Sequence, residues 1–257
     1  MKTVILAGGL GTRLGEETQI KPKPMVEIGN MPILQHIMKI YSFHGFNEFI
    51  VALGYKGEVI KDYFNQYLMR NSDLFIDLES GVTKTLSKAQ DDFKVNLIDT
   101  GHKSMTGGRL FLLRDYLKED DMFMLTYGDG VANINIVDLV NFHKKHGKIG
   151  TVTAVRPPAR FGSLQFEGDQ VVEFHEKPQL GEGWINGGFF IFNKEFLEYV
   201  TDESDILEKS PLENLAKNGQ LMSFKYEGFW HPMDTLRDKN LLNELWNNEK
   251  APWKIWK

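Results

Sequence analysis

The stretch VILAGGLGTRL, residues 4–14, is an apolar run followed at once by glycines, a threonine and an arginine. Residues 4–7 predict a buried β-strand, and the glycines leave the backbone after it without bulky side chains. Main-chain N–H groups in this geometry can approach a phosphate, with Arg13 close by. A second interpretation stays open, in which the glycines only make a tight connection between a strand and a helix.

Two familiar phosphate-binding sequences do not fit this loop. A Walker loop ends in Gly-Lys-Ser/Thr, whereas this one ends in Thr12-Arg13-Leu14. The dinucleotide fingerprint requires a glycine where Leu14 stands and an acidic residue after the second strand, which instead reads LGY. The sequence therefore disfavours a dinucleotide-dependent oxidoreductase.

A cluster of basic residues follows the loop. Prolines flank Lys23 in KPKP, residues 21–24, and we expect them to hold its backbone extended, so that the cation has a defined position. Arg13, Lys21 and Lys23 are a local exception in a chain of net charge −5. That overall charge predicts neither nucleic acid nor an anionic membrane surface as a partner.

Composition bounds the class of protein. With 257 residues, 42% of them hydrophobic, the chain can bury a full core. It has no cysteine, which excludes disulfides and thiolate metal sites and fits a reducing compartment. The seven histidines include no HExxH pattern, and we do not expect a zinc site. No stretch approaches the roughly 20 apolar residues of a membrane span, so we expect a soluble, cytoplasmic protein.

Strand-like runs alternate with amphipathic helical ones, which predicts an α/β fold with a doubly wound, mostly parallel, Rossmann-like sheet. We expect a single domain over 1–257, with an α/β core at 1–156 and a small mixed β/α layer at 157–257. Within it, residues 71–94 predict a hairpin that leaves the main sheet, and 163–178 predict antiparallel strands joined at Gly168-Asp169. The predicted strands of the core are 4–7, 49–53, 95–101, 122–130 and 151–155, and the main predicted helices are 32–41, 59–68, 107–117, 136–146 and 235–247.

Two aspartates stand where a ligand could bind. Asp129 follows a buried strand, at the end where open α/β sheets bind ligands, although Asp-Gly is also an ordinary turn. Asp234 precedes the last predicted helix, but Thr235 and Asp238 already form a capping pattern, which leaves Asp234 without a structural task. Two carboxylates from separate segments, with phosphates and water, would suffice for Mg²⁺.

Motifs along nearly the whole chain resemble those of sugar-1-phosphate nucleotidylyltransferases, in particular the glucose-1-phosphate cytidylyltransferase branch. The resemblance implies transfer of CMP from CTP to α-D-glucose 1-phosphate, giving CDP-glucose for surface polysaccharides, and a homo-oligomer, such as a hexamer. The motifs are LAGGLGTRL (6–14), KPKPM (21–25), MTGGRL (105–110), LTYGDGVA (125–132), RFG (160–162), EKP (176–178), INGGFF (185–190) and GFWHPMDTLRDK (228–239).

The resemblance makes 1–156 the nucleotide-binding core and 157–257 the sugar-phosphate-binding part, with a C-terminal helical and oligomerisation segment, and it also implies roles for individual residues. It makes Asp129 and Asp234 the Mg²⁺ ligands. The implied catalytic residues are Arg13, Lys23, Asp129, Lys177 and Asp234. The implied nucleotide-binding residues are Leu6, Ala7, Gly8, Gly9, Gly11, Thr12, Arg13, Lys23, Ser104, Arg109 and Gly128, and the implied sugar-phosphate-binding residues are Glu176, Lys177, Asn186, Gly187 and Gly188.

Several alternatives stay open. The segment 101–110 could be a loop whose Thr106 caps a helix. The glycines at 187–188 could admit a sugar or form a β-bulge. For the tryptophans near the C-terminus, Trp253 and Trp256, we expect a subunit interface. The rival functions are the same chemistry on another nucleotide or sugar, and a non-catalytic nucleotide-sugar-binding module.

Overall fold

The first strand of the chain lies inside the main sheet. β1 (Thr3–Leu6) is fully buried and pairs in parallel with β4 (Glu48–Leu53) on one side and β8 (Met122–Tyr127) on the other. Its alternate side chains pack on opposite faces, into two separate hydrophobic clusters. Both faces of the sheet are therefore covered, as the continuous apolar run at 4–7 predicts. The computed structural model describes residues 1–11, 14–87, 91–157, 163–167, 170–175 and 183–256.

The remaining elements follow in chain order. The helices are α1 (Glu16–Ile20), α2 (Ile33–Phe43), α3 (Gly57–Asn65), α4 (Tyr67–Arg70), α5 (Thr106–Leu112), α6 (Arg114–Leu117), α7 (Ile136–His146), α8 (Ser210–Lys217) and α9 (Leu236–Asn247), with short 3₁₀ helices at Lys23–Met25 and Lys194–Tyr199. The other strands are β2 (Glu27–Ile28), β3 (Met31–Pro32), β5 (Leu74–Ile76), β6 (Thr83–Thr85), β7 (Lys94–Asp99), β9 (Gly130–Ala132), β10 (Gly150–Val155), β11 (Ser163–Glu167), β12 (Gln170–His175), β13 (Ile185–Asn193), β14 (Leu221–Tyr226) and β15 (Trp230–Pro232).

One strand of the main sheet runs against the others. In the described part of the chain the sheet has the order β14-β10-β13-β8-β1-β4-β7. β13 is antiparallel to both of its neighbours, whereas the other pairs are parallel. The mostly parallel α/β fold predicted from the sequence is thus confirmed. Because β13 is reversed, its first residues lie at the same edge as the carboxyl ends of the parallel strands.

Four small antiparallel pairs lie outside the main sheet in the described part of the chain, and one of them joins β2 and β3. β5 and β6 form the hairpin predicted within 71–94. β11 and β12 are antiparallel as predicted, while the turn residues Gly168 and Asp169 lie outside the described residues. β9 pairs with β15 and so brings the chain before α9 next to the end of β8. None of the described helices has both the length and the apolar character that crossing a membrane requires.

The structure differs from the sequence predictions at one turn, in two helices and at one edge strand. Lys23–Met25 is a 3₁₀ turn, not extended backbone, because Pro24 stands in its first turn, where a missing N–H costs no hydrogen bond. The helices predicted at 59–68 and 107–117 are each divided in two, near Gln66 and Leu113. The parallel edge strand β14 was not predicted, since it is only half-buried and its pattern is weak.

The C-terminal tryptophans pack on α2 of the same chain. Trp253 is 0% exposed, so the expected subunit interface is wrong for this residue. Its ring stacks near Phe229, and its Nε1 donates to Nδ1 of His36 at 3.2 Å. His36 Nε2 lies 3.0 Å from the carbonyl of Ile28, so the ring is neutral, with its proton on Nε2. Trp256 is partly buried against the same cluster.

Burial lowers the pKa of His36 from its ordinary 6.5 to about 4. The unfolded chain therefore binds a proton below about 6.5 that the folded chain binds only below about 4. The contribution of neutral His36 to the free energy of unfolding is complete above about pH 6.5. We expect this contribution to fall by about 3 kcal/mol as the pH drops from about 6.5 to about 4. Urea titrations across it would measure the slope, and a His36→Gln variant with an unchanged slope would contradict the assignment.

Candidate active site

The loop after β1 presents main-chain N–H groups to a cavity. Within the described residues, no group accepts a hydrogen bond from the N–H of Gly8, Gly9, Leu10 or Gly11. Gly11 has a φ of +63°, and Thr18 Oγ1 donates to its carbonyl at 3.1 Å. A left-handed residue with free N–H groups before it is typical of an anion-binding loop. Thr12 and Arg13 lie outside the described residues.

The cavity beside this loop has a volume of about 490 Å³ and lies at the carboxyl edge of the main sheet. It brings together every described residue of the predicted nucleotide-binding set. Those residues are Leu6, Ala7, Gly8, Gly9, Gly11, Lys23, Ser104, Arg109 and Gly128. Asp129 also lines the cavity. Sequence reasoning missed His102, Lys103 and Tyr127 in its wall, although all three follow or end strands at that edge.

Arg109 holds three of the loops at this edge. The residue is 4% exposed, and its guanidinium donates to the carbonyls of Gly8, Leu53 and Gly101 at 3.1, 2.8 and 3.0 Å, and to Thr100 Oγ1 at 2.6 Å. Burial lowers its pKa. These contacts are with the protein's own loops, not the ribose or base that the resemblance implies, so contact with a nucleotide stays a prediction.

The other residues of segment 101–110 also have partners in the protein. Ser104 is buried, and its hydroxyl donates to the carbonyl of Thr100 at 2.5 Å. Thr106 is the first residue of α5 but does not cap it, because its hydroxyl instead donates to Glu208 at 2.7 Å. The capping alternative for Thr106 is therefore wrong.

Lys23 joins the two aspartates singled out in the sequence. Its Nζ donates to Asp129 Oδ2 and to Asp234 Oδ1, each at 2.6 Å. The Lys23 side chain is 10% exposed, against 32% for Asp129 and 16% for Asp234. Asp234 thus has a structural partner that the sequence did not indicate. The two carboxylates exceed the one ammonium by one negative charge, so the group still attracts a cation.

The β9–β15 pair explains how residues so distant in sequence meet. Its register sets Pro232 opposite Gly130, and the N–H of Met233 donates to the carbonyl of Asp129 at 2.8 Å. The capping box of Thr235 and Asp238, confirmed at the start of α9, then fixes the backbone directly after Asp234. The turn at Asp129 and the cap after Asp234 are real structural features that also aim both carboxylates at one point.

The donor set at this point fits a hard divalent cation. Both carboxylates lie within one hydrogen bond of a single cationic atom, and carboxylate oxygens are the ligands that Mg²⁺ prefers. Among the described residues no cluster of three or more acidic or histidine side chains could hold a metal alone. Phosphates and water would have to complete the coordination, as is usual for Mg²⁺.

The predicted sugar-phosphate residues lie beside the cavity, across Tyr127. Asn186 Nδ2 donates to the Tyr127 hydroxyl at 3.1 Å, and Trp230 Nε1 donates to the Gly187 carbonyl at 2.7 Å. A Cβ at Gly187 would lie 2.7 Å from Val155, and one at Gly188 would lie 2.5 Å from the Tyr127 ring. The pairing of β10 with β13 shifts register between Val152 and Ala154, an irregularity of the kind that a bulge produces.

The space of each missing side chain at Gly187 and Gly188 is filled by the chain itself, so these glycines are explained by packing. Contact of their backbone with a sugar stays a prediction. Glu176 and Lys177 lie outside the described residues, and their implied roles are likewise predictions.

Gly8 and Gly9 provide a matched test of the Arg109 contact. A Cβ at Gly8 would lie 2.1 Å from the guanidinium carbon of Arg109, whereas one at Gly9 would meet nothing within 4 Å. Displacing this buried group by overpacking costs about 1–3 kcal/mol. We expect Gly8→Ala to lower the Tm by about 5 °C and Gly9→Ala by less than about 1 °C, measured by differential scanning calorimetry. Equal shifts would contradict the role of Arg109.

Comparison with known proteins identifies the family of the chain. The nucleotidyl transferase family model matches residues 2–235. The chain is similar to the glucose-1-phosphate cytidylyltransferase of Salmonella typhi, with 52% identity over 256 residues and the whole of both chains covered. It is also similar to the probable glucose-1-phosphate cytidylyltransferase of Bacillus subtilis, with 42% identity over 257 residues and the same coverage.

Among solved structures, HddC from Yersinia pseudotuberculosis has a TM-score of 0.70 at 25% identity, covering 95% of this chain and 99% of that one. The fold and the matched sequence thus point to the same group of proteins. The chain belongs to the nucleotidyl transferase family.

Proposed function

We propose that the chain transfers CMP from CTP to α-D-glucose 1-phosphate, giving CDP-glucose and pyrophosphate. The observation that carries the proposal is the convergence of Lys23, Asp129 and Asp234 at one end of a cavity whose other wall is the glycine loop. Full-length similarity to relatives that are named for this activity supports the choice of CTP and of glucose 1-phosphate.

The reaction needs no nucleophile from the protein. A phosphate oxygen of the sugar phosphate, ionised near neutral pH, forms the new bond to the α-phosphorus of CTP. The bond from that phosphorus to the bridging oxygen breaks, and pyrophosphate leaves with the electron pair. Catalysis is then alignment of two anions and stabilisation of charge.

The chain's own residues supply most of that stabilisation. The N–H groups of Gly8, Gly9 and Gly11 bind the triphosphate, and Lys23 neutralises phosphate charge beside it. Arg13 binds the leaving pyrophosphate, and Glu176, Lys177 and Asn186 orient the sugar phosphate. Asp129 and Asp234 would hold Mg²⁺, which when bound would reduce the repulsion between the two substrates. For one pair of unit charges that repulsion is about 4 kcal/mol at 4 Å and an effective dielectric of 20.

Pyrophosphate release tests the proposal. We expect release with glucose 1-phosphate and CTP in the presence of Mg²⁺, and at least about tenfold less with UTP, dTTP or ATP, or after chelation. Asp129→Asn removes one of the two carboxylate charges beside Lys23 and should lower kcat/KM about 1000-fold.

The matched control is Asp138→Asn in the exposed first turn of α7, which should retain wild-type activity. Release with UTP or dTTP instead would reassign the nucleotide. No release with any nucleotide would favour the non-catalytic alternative, and a fully active Asp129→Asn would remove this aspartate from the mechanism.

We also propose that the chain forms a homo-oligomer through the β5–β6 hairpin. Large apolar side chains of this hairpin are exposed, with Leu78 at 92% and Ile76 at 52%. Exposed apolar side chains grouped on one small element are characteristic of interaction surfaces.

Leu78→Glu tests this surface without disturbing the packed core, since Leu78 is almost fully exposed in the single chain. We expect light scattering to show an oligomer, with a hexamer as the expected size, for the wild type and a smaller species for Leu78→Glu. Val137→Glu, at an exposed apolar position of α7, is the control and should keep the wild-type mass. A monomeric wild type, or equal masses for both variants, would contradict the proposal.

A further inference from the structure

The carboxylate of Glu208 joins two side chains of the cavity wall. One of its oxygens accepts a hydrogen bond from the Tyr127 hydroxyl, and the other accepts one from Thr106 Oγ1 at 2.7 Å. Tyr127 and Thr106 both line the cavity, whereas Glu208 stands behind them in the segment before α8. Glu208 is therefore placed to act through other residues.

Tyr127 connects this carboxylate to the start of β13. Its hydroxyl accepts from Asn186 Nδ2 at 3.1 Å, and Asn186 Oδ1 accepts from the N–H of Gly188 at 2.8 Å. Its ring lies edge-on to Phe190 at 5.8 Å and fills the space above Gly188. The position of Tyr127 is thus set by two hydrogen bonds to its hydroxyl and by packing against its ring.

The Thr106 side has additional anchors that do not involve Glu208. The N–H of Gly108 donates to the carbonyl of Asp205 at 2.9 Å, and the N–H of Met105 donates to that of Glu203 at 3.1 Å. This close approach of the two backbones requires a glycine at position 108, because a Cβ there would lie 1.8 Å from the Glu203 carbonyl oxygen. Loss of the Glu208 carboxylate would leave α5 in place and release mainly Tyr127.

We propose that Glu208 is a positioning residue for the acceptor sugar phosphate, acting through Tyr127 and Asn186. This inference rests on the proposed function, in which the start of β13 faces the sugar. A small displacement of groups that orient a substrate lowers the fraction of productive complexes. The nucleotide side keeps its loop contacts, so the loss falls on the acceptor.

The test compares KM values for the two substrates. We expect Glu208→Ala to raise the KM for glucose 1-phosphate about tenfold and to change the KM for CTP less than about twofold. Tyr127→Phe should have a similar effect, and the double variant should be no worse than either single one, because both remove the same contact. Glu208→Gln, whose amide oxygen still accepts from Tyr127, should lie between Glu208→Ala and the wild type.

Glu213→Gln removes an exposed carboxylate from the first turn of α8 and serves as the matched control, with wild-type KM values expected. An unchanged KM for glucose 1-phosphate in Glu208→Ala, an equal rise for CTP, or additive effects in the double variant would overturn the proposal.

A wild-type protein without pyrophosphate release would instead remove the proposed function. The contact between Glu208 and Tyr127 would then be tested by the Tm values of the wild type, Glu208→Ala, Tyr127→Phe and the double variant. Additive shifts of the Tm would overturn the positioning role, and non-additive shifts would support the contact on which it rests.

Discussion

The Lys23 ammonium, held between the carboxylates of Asp129 and Asp234, is the interaction on which the site depends. Without it, two like charges would face each other in a partly buried place, at a cost of about 4 kcal/mol for charges 4 Å apart at an effective dielectric of 20. With it, three distant segments of the chain share one charged group. That group keeps one negative charge in excess, which suits it to a divalent cation.

The direction of the strands brings the rest of the cavity to the same place. The loops after β1, β4 and β7 meet at the carboxyl edge, where the Arg109 guanidinium donates to carbonyls of all three. The reversed β13 delivers its first residues to that edge and so sets Asn186 beside Tyr127. A wholly parallel sheet would have sent those residues to the opposite edge.

Glycines around the cavity have two different physical causes. In the loop after β1 they free N–H groups for a ligand, and Gly11 adopts a left-handed conformation. At Gly108 and Gly188, in contrast, the room left by the missing side chain is filled by the 203–205 backbone and Tyr127. The second group keeps the walls of the cavity at close distance and has no need of a bound molecule.

By itself the sequence determined the α/β class, the positions of most strands and helices, and the residues that line the cavity beside the glycine loop, because hydrophobic period, turn residues and motifs are local signals. Only the tertiary structure decided that Lys23 pairs with both aspartates, that Arg109 holds loops, that Trp253 is core and that Glu208 reaches Tyr127. These are contacts between residues far apart in the chain, and no local pattern encodes which distant partner a buried charge or ring will meet.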